Sequence, residues 1–205
     1  MFTGIVTAIG TIDKVEHRGD LHVTIKCSFD PASIDIGASI ACSGVCLTVV
    51  DRAGSDGGAR IGFDVSAETV ARTVPGMWDA GRTINLEPAL KLGDELGGHL
   101  VTGHVDTVGQ VTQVSDAGGS TRILVSVARE FAPFVAEKGS ITVDGVSLTV
   151  NTVSDRADGT CEFSLNIIPH TGEVTTLGAL GPGDRVNLEI DVLARYLQRM
   201  QSLAS

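Results

Sequence analysis

Ser39-Ile40-Ala41-Cys42-Ser43-Gly44-Val45-Cys46-Leu47-Thr48-Val49 returns later in the chain as Ser140-Ile141-Thr142-Val143-Asp144-Gly145-Val146-Ser147-Leu148-Thr149-Val150. Seven of the eleven positions are identical at a constant offset of 140 − 39 = 101, where chance gives about one match. Further matches flank it in the same order. Thr3-Gly4-Ile5-Val6 with Gly10 answers Thr102-Gly103-His104-Val105 with Gly109, Phe63 answers Phe163, and Asn85-Leu86-Glu87 answers Asn187-Leu188-Glu189. A module of about 100 residues is therefore written twice. Within the second copy, Ile141 and Val143 share one phase and Val146, Leu148 and Val150 the other, with Asp144-Gly145 between them. That shift marks a turn or a bulge. Beyond it, Ser147, Thr149 and Asn151 leave the apolar row, as Cys46 and Thr48 do in the first copy. Such a row is either a solvent-facing polar edge or the wall of a pocket. The duplication favours the pocket, because both copies keep a small residue followed by Leu-Thr.

Outside this stretch each half reads as strands. Leu21–Cys27, Cys161–Ile167 and Arg185–Ile190 alternate apolar and polar residues, as half-buried strands do. Turn clusters at 53–58 and 116–119 separate the runs. Many short strands with Gly-rich turns predict small antiparallel barrels or sandwiches. Residues 1–97 form one such domain, residues 98–190 a second, and Pro88 to Gly98 the natural linker. From Asp191 the period changes: Leu193, Tyr196 or Leu197, Met200 and Leu203 recur at helical spacing, with Asp191 as N-cap. The segment 191–205 is thus an amphipathic helix. Its stripe either docks on its own barrel or packs against copies of itself in an oligomer.

Composition narrows the chemistry. Of 205 residues, 15 are Lys or Arg and 25 are Asp or Glu, a net charge of -10. A phosphate-neutralising face needs the opposite sign, so nucleic acid and anionic membranes are excluded as partners. The start of the chain carries no basic, cleavable leader, and no apolar run approaches a bilayer span, which predicts a cytoplasmic protein. Cys27, Cys42, Cys46 and Cys161 are scattered and read as reduced thiols. Aromatic residues make up only 4% of the chain, so a flat ligand has few platforms.

Phosphate-loop, dinucleotide and nucleophile-elbow patterns are absent. His99 and His104 lie five apart in a stretch that reads as a strand, which puts them on opposite faces and argues against a shared metal. What remains is a set of small polar groups at matching places: Cys46 and Thr48, Ser147 and Thr149, and His104 on the second copy of the Thr-Gly motif. An imidazole can move protons, and a thiol or hydroxyl can add to an electrophile or stabilise one. Two related but non-identical pockets follow.

The opening Met1-Phe2-Thr3-Gly4-Ile5-Val6, Gly44–Val49, Gly97–Val105, Asp144–Val150 and Ile168-Pro169-His170-Thr171 together resemble riboflavin synthases of the alpha-chain type, a lumazine-binding double-barrel family. The likeness runs from residue 1 to the terminal helix. It implies an all-β fold of two pseudo-twofold-related Greek-key barrels followed by a C-terminal α-helix, assembled as a homotrimer through that helix. It also implies a transferase that dismutates two molecules of 6,7-dimethyl-8-ribityllumazine into riboflavin and a ribitylamino-pyrimidinedione, with no metal and no organic cofactor. Lumazine synthase is the partner protein it suggests.

By the same resemblance, Gly4, Ile5 and Val6, Ser39, Cys46, Leu47 and Thr48, and Asp64, Val65, Ser66, Ala67, Glu68 and Thr69 hold the pteridine of the first barrel. Gly103, His104 and Val105, Ser147, Leu148 and Thr149, and Asn166, Ile167, Ile168, Pro169, His170 and Thr171 serve the second. Lys138 reaches a neighbouring subunit's ligand, and Phe2 joins a stack made mainly by the two substrates themselves. His104, Cys46, Ser147 and Thr149 are the catalytic candidates: the histidine for proton transfer, the others to position or activate water. The rival reading is a non-catalytic lumazine- or flavin-binding protein of the same superfamily, whose members tend to lose the second-half motif that this chain keeps.

Overall fold

The computed structural model describes residues 1–204; Ser205, the last residue of the expected helical segment, lies outside them. In the first half, β1 (Ala8–Arg18), β2 (Asp20–Cys27), β3 (Ser39–Cys42), β4 (Val45–Ser55), β5 (Gly58–Val65) and β6 (Thr83–Pro88) close into a barrel in the order β1-β2-β5-β4-β3-β6. In the second, β7 (Thr107–Asp116), β8 (Thr121–Ala128), β9 (Ser140–Val143), β10 (Val146–Asp155), β11 (Thr160–Ile167) and β12 (Arg185–Ile190) close as β7-β8-β11-β10-β9-β12. The orders are the same. In each, three strands joined by successive hairpins are flanked by one that returns beside the first, which is a Greek key. Closure leaves no long edge to pair with other chains.

The repeated stretch is the β3–β4 hairpin and its copy, β9–β10. Ser43 and Gly44 have φ of 43° and 83°, Asp144 and Gly145 of 44° and 81°. Two positive values in succession make a two-residue turn that suits strand twist, so the phase shift is a turn and not a bulge. True bulges lie elsewhere and are also duplicated, between Ile12 and Lys14, Val49 and Asp51, Val111 and Gln113, and Val150 and Thr152. Each barrel has its own core, around the fully buried Phe63 and Phe163. Burying one such ring stabilises the fold by roughly 2–3 kcal/mol. The matching Gly10 and Gly109 leave room for that packing: a Cβ on Gly10 would lie 2.6 Å from Ile25, and one on Gly109 would lie 2.7 Å from Leu188 and from Val125.

The barrels meet along a pseudo-twofold seam. Gly44 and Gly145 face each other across it, so a Cβ on Gly145 would lie 2.8 Å from the Gly44 nitrogen. Two asparagines from the repeated Asn-Leu-Glu motif lace the seam. Asn85 Nδ2 donates to the Asp144 carbonyl at 2.9 Å, and its Oδ1 accepts from Thr176 N–H at 2.8 Å. Asn187 reciprocates, donating to the Ser43 carbonyl at 3.0 Å and accepting from Val74 N–H at 2.8 Å. Buried amides with both ends satisfied hold the barrels in one register.

Two expectations change. The stretch holding His99 and His104 is not a strand: only Val101 pairs, in an isolated bridge with Phe2. Gly103, at a φ of 80°, bends the backbone there, so strand alternation does not govern the two histidines. The terminal helix α3 (Val192–Ala204) forms, and Asp191 caps it by accepting from Leu193 N–H at 2.9 Å. Its stripe, however, does not dock on its own barrel. Leu193, Tyr196, Leu197, Met200 and Leu203 are 60–70% exposed. Arg195, on the same helix, is clasped by Asp106 through bonds of 2.8 and 2.9 Å, which fixes the helix while its apolar residues face outward. Among the described residues no helix is long and apolar enough to cross a membrane.

Candidate functional site

Phe2 and Val101 occupy equivalent places in the two modules, and they pair with each other across the pseudo-dyad (N···O 2.8 and 3.0 Å). From that crossing each arm runs onto the opposite barrel. The Gly4 carbonyl accepts from Ser147 N–H, and the Gly103 carbonyl from Cys46 N–H, both at 2.8 Å. Val6 packs against the second core, Val105 against the first. The residues thus assemble differently from the resemblance-based assignment. Gly4, Ile5 and Val6 belong with Ser147, Leu148 and Thr149; Gly103, His104 and Val105 belong with Cys46, Leu47 and Thr48. The cause is the exchange of arms, which repeat matching within each half cannot reveal.

Close approach explains the invariance of the two glycines between modules. Gly4 has a φ of 75° and a Cβ there would lie 2.6 Å from Ser147 Cβ; Gly103 has a φ of 80° and the same separation from Cys46 Cβ. Both positions demand a left-handed backbone and the absence of a side chain. Gly98 is equally constrained, since its Cβ would lie 2.1 Å from the Thr3 carbonyl.

The floors of the two sites come from the outward rows of β4 and β10. Cys46 and Ser147 are half-buried and Thr48 and Thr149 exposed, with Ser39 opposite Thr48 and Ser140 opposite Thr149 in the ladders. The neighbouring pairs Val49–Phe63 and Val150–Leu165 set β5 and β11 alongside, so that Asp64 and Asn166 project at corresponding strand ends. Helix α1 (Ala67–Arg72) then begins at Ser66, whose hydroxyl caps Thr69 N–H at 3.2 Å. Helix α2 (Pro169–Val174) begins at Ile168 without a side-chain cap, relying on Pro169 in its first turn. Leu47, Val65 and Ile167 turn into the cores and hold these ends from beneath. Glu68, Ala67, Ile168 and His170 are exposed, and Leu148 and Thr171 half-buried.

The Ser147 site contains a feature that residue patterns did not single out. His99 Nδ1 lies 2.7 Å from Ser147 Oγ, and its Nε2 lies 3.1 Å from Thr142 Oγ1. Burial pushes the His99 pKa below its ordinary value, with Asp191 and Glu189 pulling the other way. The ring is therefore neutral at pH 7 and able to accept a proton. The hint in the sequence was Thr142, a buried hydroxyl where the first copy has Ala41. At the other site Cys46 has no such partner among the described residues, and His104 is exposed on the crossing arm. Asp64 accepts instead from His22, with Nδ1 and Oδ1 2.7 Å apart.

One residue sits differently from expectation. Phe2 is fully buried between the barrels with Ala41 and Val101, so its ring cannot stack on a ligand. Lys138 is exposed and holds a φ of 65°, a strained value that Gly37 meets freely at the equivalent place. Its side chain makes no hydrogen bond or ion pair among the described residues. Two cavities of about 440 and 450 Å³, one at the Asp144 seam and one beside α1, are lined by neither Cys46 nor Ser147, which are half-buried on the outward rows of their strands.

Comparison with known proteins finds the same duplication. The description "Lumazine binding domain" matches residues 3–89 and again residues 102–191. The chain is 48% identical over 203 residues to the riboflavin synthase of Brucella abortus (strain 2308), covering 98% of each sequence. Its fold is similar to LumP solved with riboflavin, at a TM-score of 0.78 and 24% identity over 93% of this chain and 99% of that one. LumP solved with 6,7-dimethyl-8-(1'-D-ribityl) lumazine matches at a TM-score of 0.75, with 23% identity over the same shares.

Proposed function

The chain belongs to the riboflavin synthase family, built on paired lumazine binding domains, and from that premise we propose that it transfers a four-carbon unit between two molecules of 6,7-dimethyl-8-ribityllumazine. The products are riboflavin and 5-amino-6-(D-ribitylamino)uracil, and the chemistry calls for no metal or organic cofactor. One lumazine lies at the Cys46 face and one at the Ser147 face. The ribityl hydroxyls suit the strand-end groups Thr48, Asp64 and Ser66 on one side and Thr149, Asn166 and Thr171 on the other. The ring can be read by backbone N–H and C=O groups of β4, β10 and the crossing arms.

The observation that carries this reading is Ser147 hydrogen-bonded to a neutral His99 on a face rimmed by the Gly4 arm. With Nε2–H donated to Thr142, Nδ1 accepts from the Ser147 hydroxyl and can take its proton as Oγ adds to an electrophilic ring carbon or draws a proton from an attacking water. The C7 methyl of a lumazine is acidic because its anion delocalises into the ring. His104, on the arm over Cys46, is placed to move that proton. A mere binding protein needs ring and polyol contacts but not a half-buried base on a serine. Orientation of the two rings supplies several kcal/mol besides.

Incubating purified protein with 6,7-dimethyl-8-ribityllumazine and following riboflavin absorbance without added cofactor tests the activity. Tight binding with no product would favour a lumazine-binding protein. We place the enzyme in the cytoplasm as a homotrimer assembled through α3, with Lys138 directed at a neighbouring subunit's ligand and lumazine synthase as a candidate partner. Removing the residues after Asp191 is expected to convert trimers to monomers in sedimentation, and an unchanged mass would refute the helix's role.

A further inference from the structure

Each module pairs a Thr-Gly at its start with an Asn-Leu-Glu near its end, and the fold shows what joins them. Glu87 Oε1 accepts from Thr3 N–H and Thr3 Oγ1 at 2.7 and 2.8 Å, and Oε2 accepts from Gly4 N–H at 3.0 Å. Glu189 Oε1 accepts from Thr102 N–H and Oγ1, both at 2.7 Å, and Oε2 from Gly103 and His104 N–H at 2.9 and 3.0 Å. Both carboxylates are buried, and neither has a cationic partner among the described residues. Burying a charge without a counterion is costly, and here only the convergent N–H and O–H donors of one arm offset it. A neutral glutamine could not replace either group cleanly. Every bond needs an acceptor, and its amide NH2 would face another N–H.

The two glutamates differ in what lies beside them. In the ladders Glu87 stands opposite Ala41 on β3, whereas Glu189 stands opposite Thr142 on β9. Thr142 holds His99 Nε2, and His99 holds Ser147. Glu189 therefore fixes the backbone of His104 over one face and borders the histidine of the other. We propose that Glu189 is a positioning residue shared by both sites, while its counterpart Glu87 serves only the Gly4 arm over Ser147. The inference rests on the two-site reading above. It assigns Glu189 the link between the faces: one carboxylate sets the His104 arm and, through its charge, the protonation of His99. The charged groups acting on His99 are Glu189 and Asp191, and both favour its protonated form.

Cys46 gives a readout independent of turnover, because it is half-buried while Cys27, Cys42 and Cys161 are buried. In the full-length protein, Glu189→Gln is expected to speed modification of Cys46 by a thiol reagent and to abolish its protection by riboflavin. The same change should lower kcat about 100-fold, as misplacement near reacting atoms does. It should also move the acid limb of the kcat profile to lower pH, since losing the Glu189 charge lets the His99 pKa fall further. Glu87→Gln should leave Cys46 protection and the acid limb unmoved. Matching changes in both variants, or an unmoved limb in Glu189→Gln, would reduce the glutamates to structural anchors and overturn the proposal. Should either glutamine variant not fold, Thr102→Val and Thr3→Val each remove one bond to the carboxylate and keep its charge. Faster Cys46 modification in Thr102→Val alone supports the proposal, and equal rates overturn it. A wild type that protects Cys46 with riboflavin yet makes no product would sink the enzymatic reading while leaving the protection test decisive here.

Discussion

Around Ser147 the backbone delivers a hydroxyl bonded to His99, a neutral Asn166 at the end of β11, and Ile5 from the crossing arm. Around Cys46 the same positions carry a thiol, the His22-paired Asp64, and His104. The scaffold beneath is shared down to its turns, bulges and arm glycines. At the open faces the two modules differ in the groups they present. A dismutation uses one compound in two roles, so two sites of one shape with different protic groups are what the reaction requires. The Ser147 face, with its half-buried neutral base, suits activation of a nucleophile; the Cys46 face, with an exposed imidazole, suits exchange of a methyl proton.

The largest effect should come from removing the feature present on one face only. Ser147→Ala is expected to lower kcat about 100-fold or more while riboflavin binding changes little. His99→Ala should cost nearly as much, and the double variant little further, because the two side chains act as one unit. Additive losses in stopped-flow turnover would show that they act separately and that the asymmetry lies elsewhere. His104→Ala comes next, lowering kcat about 10- to 100-fold with less effect on lumazine affinity. Equal loss of both would make the histidine a binding group only. Cys46→Ser brings the two faces closer together and should change kcat only a few-fold, since no base is bonded to the thiol. A loss as large as that of Ser147→Ala would mean the thiol itself is the reactive group at its site.

The architecture was legible in the sequence because duplication multiplies weak signals. The Ser-Gly and Asp-Gly turns and the Asn-Leu-Glu repeats each reported one contact, and their nearly constant offsets reported the topology, whereas the Phe63–Phe163 match was out of register, since the ladders set Phe63 against Val49 but Leu165 against Val150. The pairing of arms with barrels was not legible. Module matching compares equivalent positions and says nothing about whether equivalent segments swap, and here Phe2 and Val101 cross at the dyad. The same crossing buried Phe2, which as a lone aromatic near a motif had suggested stacking. The place of His99 is not legible from strand periodicity, because the backbone there bends at Gly103 and only Val101 pairs. Its bond to Ser147 spans 48 positions, a distance at which single-sequence patterns are silent.

The smallest expected effect tests a difference of charge inside the seam. Ser43 and Asp144 hold the same turn position and each accepts the equivalent asparagine N–H, Ser43 Oγ from Asn85 at 3.1 Å and Asp144 Oδ1 from Asn187 at 2.8 Å, but only Asp144 brings a carboxyl to the seam cavity that Arg82, Asp184 and Arg185 also border. Burial pushes its pKa up to about 7, against the pull of the Asn187 bond and of Arg82. An acid whose folded pKa is raised stabilises most when protonated. Below about pH 4 the group is neutral in both states and costs nothing. As pH rises towards 7 the unfolded chain ionises first, and stability falls by an amount on the order of 4 kcal/mol. Above that range the penalty is constant. Asp144→Asn keeps an acceptor for Asn187 and removes the charge. Its melting temperature should therefore match the wild type near pH 4 and exceed it by several degrees at pH 8, with turnover little changed because the seam lies away from Cys46 and Ser147. Parallel melting curves across that range would show that the carboxyl is already ionised without cost, and that the two turns are equivalent in energy as well as in shape.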